Sequence, residues 1–209
     1  MKKFISDLHF DHTAMLYGMD RRPFKDVDEM NEHMIRRWND GVRKNDEVYV
    51  LGDLSFGNGE RTNGFLERLN GRIFLIEGNH DRKFLGDPLF NRNRLEWIKP
   101  YHEISFLRRK IILSHYPIIC YNGQYRKNDA GVPKTFMMYG HVHDTQDAEL
   151  VDSFVAQARG SVFVPARRTE PENIPCNMIN CFCMFCDYMP LSLDEWIILN
   201  EKRMAARQP

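Results

Sequence analysis

The feature that most constrains this chain is a repetition of form. Five short apolar runs, each of strand length, each stop at a polar knot of Asp, His or Asn. Lys2–Ser6 runs into Asp7-Leu8-His9, Glu47–Leu51 into Gly52-Asp53, and Arg72–Glu77 into Gly78-Asn79-His80-Asp81. Lys110–Leu113 runs into Ser114-His115, and Thr135–Tyr139 into Gly140-His141-Val142-His143. Runs of this length and composition read as buried strands. In layered α/β folds, ligands gather where loops leave the strand ends. Five ends that deliver the same residue types therefore predict one shared site.

The segments between the runs supply the helices. Met30, Met34 and Trp38 recur every four residues, which predicts a helix over Asp26–Asn39 capped by Asp26 or Asp28. Glu60–Leu69 reads as a second helix, with Phe65, Leu66 and Leu69 inward and Asn70-Gly71 as its stop. A third is expected over Ala148–Ala158, and Ser192-Leu-Asp-Glu195 is a capping box opening a C-terminal helix. Tyr101–Leu107 and Met178–Cys186 read as further strands, and Gly160–Pro175, with three prolines, as loop. The segment beyond that loop is too short to fold alone, so residues 1–209 are expected to form a single domain.

Carboxylate and neutral imidazole are ligands of borderline-hard divalent metals such as Mn, Fe and Zn. The set is too rich for one tetrahedral site and suits two adjacent ions sharing a carboxylate. Two ions roughly 3.5–4 Å apart can bridge and acidify a water and clamp both oxygens of an in-line phosphoryl displacement. Composition narrows the partners. With 29 Lys+Arg against 29 Asp+Glu, the formal net charge is zero. That gives no general attraction to nucleic acid or to an anionic membrane, and it argues against the basic track of a processive nuclease. No apolar run is long enough to cross a bilayer. The opening Met-Lys-Lys-Phe-Ile-Ser reaches Asp7 before a signal-peptide core could form, so a cytoplasmic location is expected. The five cysteines then read as reduced thiols.

The ordered blocks Asp-x-His, Gly-Asp, Gly-Asn-His-Asp, His and Gly-His-x-His resemble the calcineurin-like metallophosphoesterases, and Asp7-Leu-His-Phe-Asp-His12 with Arg22-Pro-Phe24 shortly after is similar to their small bacterial and phage members. The resemblance covers roughly the first 145 residues and, more weakly, the closing strand and helix. It implies a four-layer α/β/β/α sandwich of two mixed sheets flanked by helices, with the site at the carboxyl ends of the strands. It also implies that Asp7, His9 and His143 hold one metal, that Asn79, His115 and His141 hold the other, and that Asp53 bridges both. His80 would lie beside the substrate phosphate as a charge stabiliser or proton donor, and Asp81 would orient a neighbour or serve the turn. The protein Ser/Thr phosphatase branch carries Gly-Asp-x-x-Asp-Arg-Gly. Here the block is Gly52-Asp-Leu-Ser-Phe-Gly57, which lacks that acidic–arginine pair and argues against a protein phosphatase.

The expected function is hydrolysis of a small or nucleotide-like phosphate mono- or diester by attack of a metal-bridging hydroxide. The cofactor would be two divalent ions, Mn first, with Fe, Zn, Ni or Mg accommodated. His12, Arg22, Tyr125 and Arg126 are the candidate substrate contacts; a packed loop with solvated arginines is the plainer account of them. The alternative is a non-catalytic metal-binding module acting through a protein partner, with Cys176, Cys181, Cys183 and Cys186 holding zinc. Against it, Cys181 and Cys183 share a strand face that Cys186 does not, and the spacing is not that of paired Cys-x₂-Cys ligands. Buried thiols fit better.

Overall fold

The computed structural model describes residues 1–164 and 169–206. Its first half alternates strand and helix: β1 (Lys2–Ile5), α1 (Val27–Gly41), β2 (Glu47–Leu51), α2 (Gly59–Arg68), β3 (Arg72–Ile76), the single turn α3 (Arg82–Leu85) and β4 (Leu95–Lys99). The four strands lie in the order β1-β2-β3-β4 and every pair is parallel. Parallel neighbours need crossover connections, which α1 and α2 supply for the first two steps. Asp26 starts α1 by accepting from the Glu29 amide, and Met30, Met34 and Trp38 form its buried stripe.

The second half contains β5 (Tyr101–Phe106), β6 (Arg109–Ser114), β7 (Thr135–Tyr139) and α4 (Gln146–Gly160). A two-strand ribbon, β8 (Val162–Phe163) and β9 (Glu172–Asn173), precedes β10 (Met178–Asn180) and α5 (Leu193–Ala206). The second sheet runs β10-β7-β6-β5, parallel except for the antiparallel β5–β6 edge.

Strand alternation separates the layers. Ile111, Leu113, Phe136, Met138 and Ile179 join one core with Phe4, Tyr49 and Phe74 of the first sheet. Ile112, Met137, Tyr139 and Met178 turn outward and pack with Ala148, Val155 and Ala158 of α4. Helix α5 is clipped to α4 by Arg203, which reaches Asp152 at 2.9 and 3.2 Å. The order is helices, sheet, sheet, helices, and the resemblance-based expectation describes it. Of the two sheets, the first is parallel throughout and the second is mixed.

Three local expectations change. Strand β4 had no polar knot to mark it and is a half-exposed edge. The run Met178–Cys186 is strand only to Asn180. Beyond it Phe182 bridges to Ser6, and Cys183–Cys186 winds into a 3₁₀ turn ending in left-handed Asp187 and Tyr188. The alternation argument about the cysteines therefore does not apply past Asn180. The stretch Gly160–Pro175 carries the β8–β9 ribbon; its 165–168 portion, including Pro165, lies outside the described residues. Among the described residues, no helix is long and apolar enough to cross a membrane.

Because β1, β2, β3, β6, β7 and β10 each end toward the same edge of their own sheet, their following loops share that edge. The two edges are tied together there: the Ser6 amide donates to Cys181 O at 2.8 Å, and the Cys183 amide to Ser6 O at 3.1 Å.

Candidate metal centre

Two groups of potential ligands meet at that edge. Asp7, His9 and His143 form one, and Asp53, His115 and His141 the other; the ligand atoms within each lie within 4.8 Å of one another. The groups adjoin through Asp53, whose Oδ2 is 3.6 Å from His9 Nε2 and 3.5 Å from His115 Nε2. Asn79 joins the second group with Oδ1 at 2.9 Å from His115 Nε2.

Local backbone geometry aims these side chains. Asp7, His9, Asp53, His141 and His143 all have φ between 47° and 73°. That is the left-handed region, costly for non-glycine residues and found where surrounding structure over-determines it. Here the surroundings are hydrogen bonds between strand ends. The His9 amide donates to Asp53 O at 2.9 Å, the His141 amide to Asp7 Oδ1 at 2.9 Å, and the His80 amide to Asp53 Oδ1 at 2.9 Å. Asp81 is fully buried and accepts three backbone amides: Asp53 at 3.0 Å, Gly78 at 2.8 Å and Leu54 at 2.8 Å. It touches no open surface, so it positions the Asp53 turn rather than meeting substrate. Burial pushes its carboxyl up to about 7, with the Gly78 amide pulling the other way.

The donor chemistry fits cations. His115 Nδ1 lies 2.9 Å from the Leu51 carbonyl, which only accepts, so Nδ1 carries the proton and Nε2 the lone pair. That lone pair faces Asn79 Oδ1 and Asp53 Oδ2, two further acceptors. Likewise His143 Nδ1 contacts Asp20 Oδ1 at 2.7 Å, which turns Nε2 toward His9 Nε2 at 3.2 Å. Asp7 Oδ2 and His141 Nδ1 are buried without a hydrogen-bond partner. Converging lone pairs and orphaned buried acceptors are what bound cations satisfy. Burial and the neighbouring His143 push His9 well below its ordinary value, and burial also lowers His141. Both are thereby kept as neutral imidazoles, the metal-binding form. Burial raises the Asp53 carboxyl.

The remaining expected site residues separate. His80 is exposed, with its ring 5.4 Å from His9. His12 is half-buried at the site, stacked on Phe56 at 3.8 Å with its Nδ1 3.2 Å from His9 Nδ1. Arg22 is a correction: it is 1% exposed, and its guanidinium is turned into the protein, donating to Asp20, Leu8 O, Met34 Sδ and Asp7 O rather than facing a phosphate. Tyr125 packs on Phe163 of β8, and the Arg126 side chain lies along Gly123; their contacts are with the surface loop, not with the ligand groups. Three neighbours of the site escape a reading of the sequence. Asp20 carries no motif. Phe56 lies inside the Gly-Asp block but is of no ligand type. Tyr116, half-exposed with its ring 4.6 Å from His141, comes directly after His115, and that adjacency is its one available signal.

The cysteines do not form a competing centre. Among the described residues, no group of three potential ligands includes one. Cys181, Cys183 and Cys186 are buried and donate to the carbonyls of Ile179, Asp7 and Cys183. Burial raises all three thiols, which keeps them protonated.

Fold and site together define a metal-dependent phosphoesterase architecture. The family model described as calcineurin-like phosphoesterase matches residues 3–169, and the chain belongs to that family. It is 32% identical over 205 residues to Uncharacterized protein MJ1445 of Methanocaldococcus jannaschii, covering 97% of this chain and 93% of that one. It is 30% identical over 165 residues to the Gene 66 protein of Mycobacterium phage D29, covering 67% of this chain and 77% of the phage protein. A crystal structure of AQ665, a protein of unknown function from Aquifex aeolicus, shares the fold with a TM-score of 0.59 at 22% identity, covering 93% and 96% of the two chains.

Proposed function

We propose that this chain is a cytoplasmic two-metal hydrolase of small phosphate esters. The observation that carries the reading is the position of one oxygen. Asp53 Oδ2 stands between the two ligand groups, 3.6 Å from one imidazole nitrogen and 3.5 Å from another. A carboxylate so placed would be available to ions held by either group.

Asp7, His9 and His143 would hold one ion, and Asn79, His115 and His141 the other. Two bound divalent cations would supply Lewis acidity toward the phosphoryl oxygens and an activated water. The chain's own residues do the rest. Asp81 and the backbone turns fix Asp53, so the ligand set needs little reorganisation. His80 stands over the site on the solvent side, where its imidazole can steady the phosphoryl group or give a proton to the leaving oxygen. Such assistance contributes about 10²–10⁴-fold. Mn is the preferred ion on ligand type, with Fe, Zn, Ni and Mg as competitors.

A nucleotide or cyclic diester suits the surroundings best. The chain has no net charge, and aromatic groups neighbour the ligands: Tyr116 beside His141, and His12 stacked on Phe56. A partner-binding module built on cysteine-held zinc has no support in the thiol geometry. The test is a panel of phosphate mono- and diesters with Mn-loaded protein. We expect metal-dependent turnover of at least one diester and near-complete loss in Asp53→Asn. Fully metallated protein that turns over nothing in the panel would overturn the proposal.

A further inference from the structure

The loop after the first ligand block contains a buried ion pair that lies outside the five ligand blocks. The Asp20 carboxylate and the Arg22 guanidinium are 2% and 0% exposed. Asp20 Oδ2 accepts from Arg22 Nε at 2.9 Å and lies 2.8 Å from Arg22 Nη2 as an ion pair, while Oδ1 takes His143 Nδ1 at 2.7 Å. The other Arg22 protons go to Leu8 O at 2.6 Å, Asp7 O at 2.9 Å and the Met34 sulfur at 3.7 Å. A single arginine thus grips the backbone between the ligands Asp7 and His9. The same arginine anchors the carboxylate behind His143, from the opposite sheet.

We propose that Asp20 is the positioning residue for the Asp7–His9–His143 metal site, with Arg22 as its fixed anchor. The inference rests on the two-metal reading. Asp20 holds His143 in the Nδ1–H tautomer and so keeps the Nε2 lone pair aimed at the ion. The second site has its own tautomer lock, Leu51 O on His115, and does not touch Asp20. The dependence is therefore one-sided: losing Asp20 weakens one site and spares the other.

Asp20→Asn distinguishes this role sharply. An amide offers one oxygen and one NH₂ where two acceptors are needed. Arg22 cannot give up a proton, so the amide oxygen must face it. The NH₂ then faces His143 Nδ1, which becomes an acceptor, and the proton moves to Nε2, where it blocks the metal. Partners that orient a ligating histidine typically account for about 10- to 100-fold in metal affinity.

The experiment is metal titration of full-length wild type and Asp20→Asn with Mn²⁺, counting bound ions, together with imidazole ¹⁵N spectra of both metal-free proteins at mildly alkaline pH. Expected are two ions in the wild type. In the variant, one ion stays at unchanged affinity and the other weakens about 10- to 100-fold, with His143 switched to the Nε2–H form. Two ions of undiminished affinity in the variant, or equal weakening of both, would overturn the assignment while leaving the two-metal reading intact. A wild type that binds fewer than two ions would overturn that reading instead. Should the variant fail to fold, the wild-type spectrum still decides: a neutral His143 carrying its proton on Nε2 sinks the proposal.

Discussion

At the scale of single residues, the site depends on how closely strand ends approach. A Cβ on Gly52, which has φ +90°, would lie 2.2 Å from His115 Nδ1. One on Gly78 would lie 2.3 Å from both the amide nitrogen and Oδ1 of Asp53. Glycines precede the ligands Asp53, Asn79 and His141; at Gly78 the reason is the neighbouring strand end, which no single segment reveals. Asp81 shows the same limit: Gly-Asn-His-Asp offers it as an orienting or turn residue, but does not reveal that three backbone bonds make it the brace of the Asp53 turn on the neighbouring strand end. In Asp81→Asn, one of those buried amides must face an NH₂ group. A buried donor without its acceptor costs about 1–3 kcal/mol. We expect the unfolding free energy of the metal-free variant, measured in urea, to fall by that amount. An unchanged value would show that the turn holds without its brace.

At the scale of elements, the strands that carry ligands were legible because each couples an apolar run to a polar knot. Two strand readings without that coupling failed: β4 is a half-exposed edge strand, and the end of the Met178–Cys186 run is diverted by its pairing with Ser6. The capping box at Ser192 was readable because it is local, and Glu195 does reach back to the Ser192 amide at 2.7 Å. The edge strand β5 is held by a device the sequence hides. Glu103 takes Lys110 at 2.6 Å, the Tyr101 hydroxyl and Asn122 at 3.0 Å, joining two strands and the following loop. The Lys110 and Tyr101 bonds hold its carboxyl down at about 2. A carboxyl lowered on folding stabilises the protein fully above its unfolded value and loses that contribution as pH falls toward the folded one. The wild type should therefore exceed Glu103→Gln in stability at pH 6, with the gap closing between about pH 4.5 and 2. The group is largely solvated, so the gap should not exceed about 1 kcal/mol. Urea unfolding of both proteins across that range measures it, and a constant gap would remove the assigned cause.

At the scale of the whole molecule, the two ligand groups draw on both sheets. Asp7, His9, Asp53 and Asn79 come after strands of the first, and His115, His141 and His143 after strands of the second. The order of blocks made this convergence legible, because strands that end in like residues at one edge must meet if the sheets stack. What stayed hidden was the buried support, Asp20 and Arg22, since a salt bridge formed by loop closure leaves no periodic trace. Across the sheet boundary the strand ends are linked by the Ser6 bonds to Cys181 and Cys183, by the His141 amide to Asp7, by His115 to Leu51 O and by Asp20 between Arg22 and His143, while unsatisfied acceptors crowd the ligand groups. Metal ions bound there would satisfy those acceptors and add a link between the two sheets. Ligands that bind only the folded state stabilise it by mass action, about 2.7 kcal/mol at a hundredfold excess over Kd. Mn²⁺ at that excess should raise the unfolding free energy of the chelator-stripped protein by about that amount per site, up to about twice as much for two independent sites. In Asp53→Asn, where the shared ligand is lost, the gain should shrink at both sites. The measurement is denaturant unfolding with and without metal for each protein. If the full gain persists in Asp53→Asn, the ions bind elsewhere and add no link at this edge.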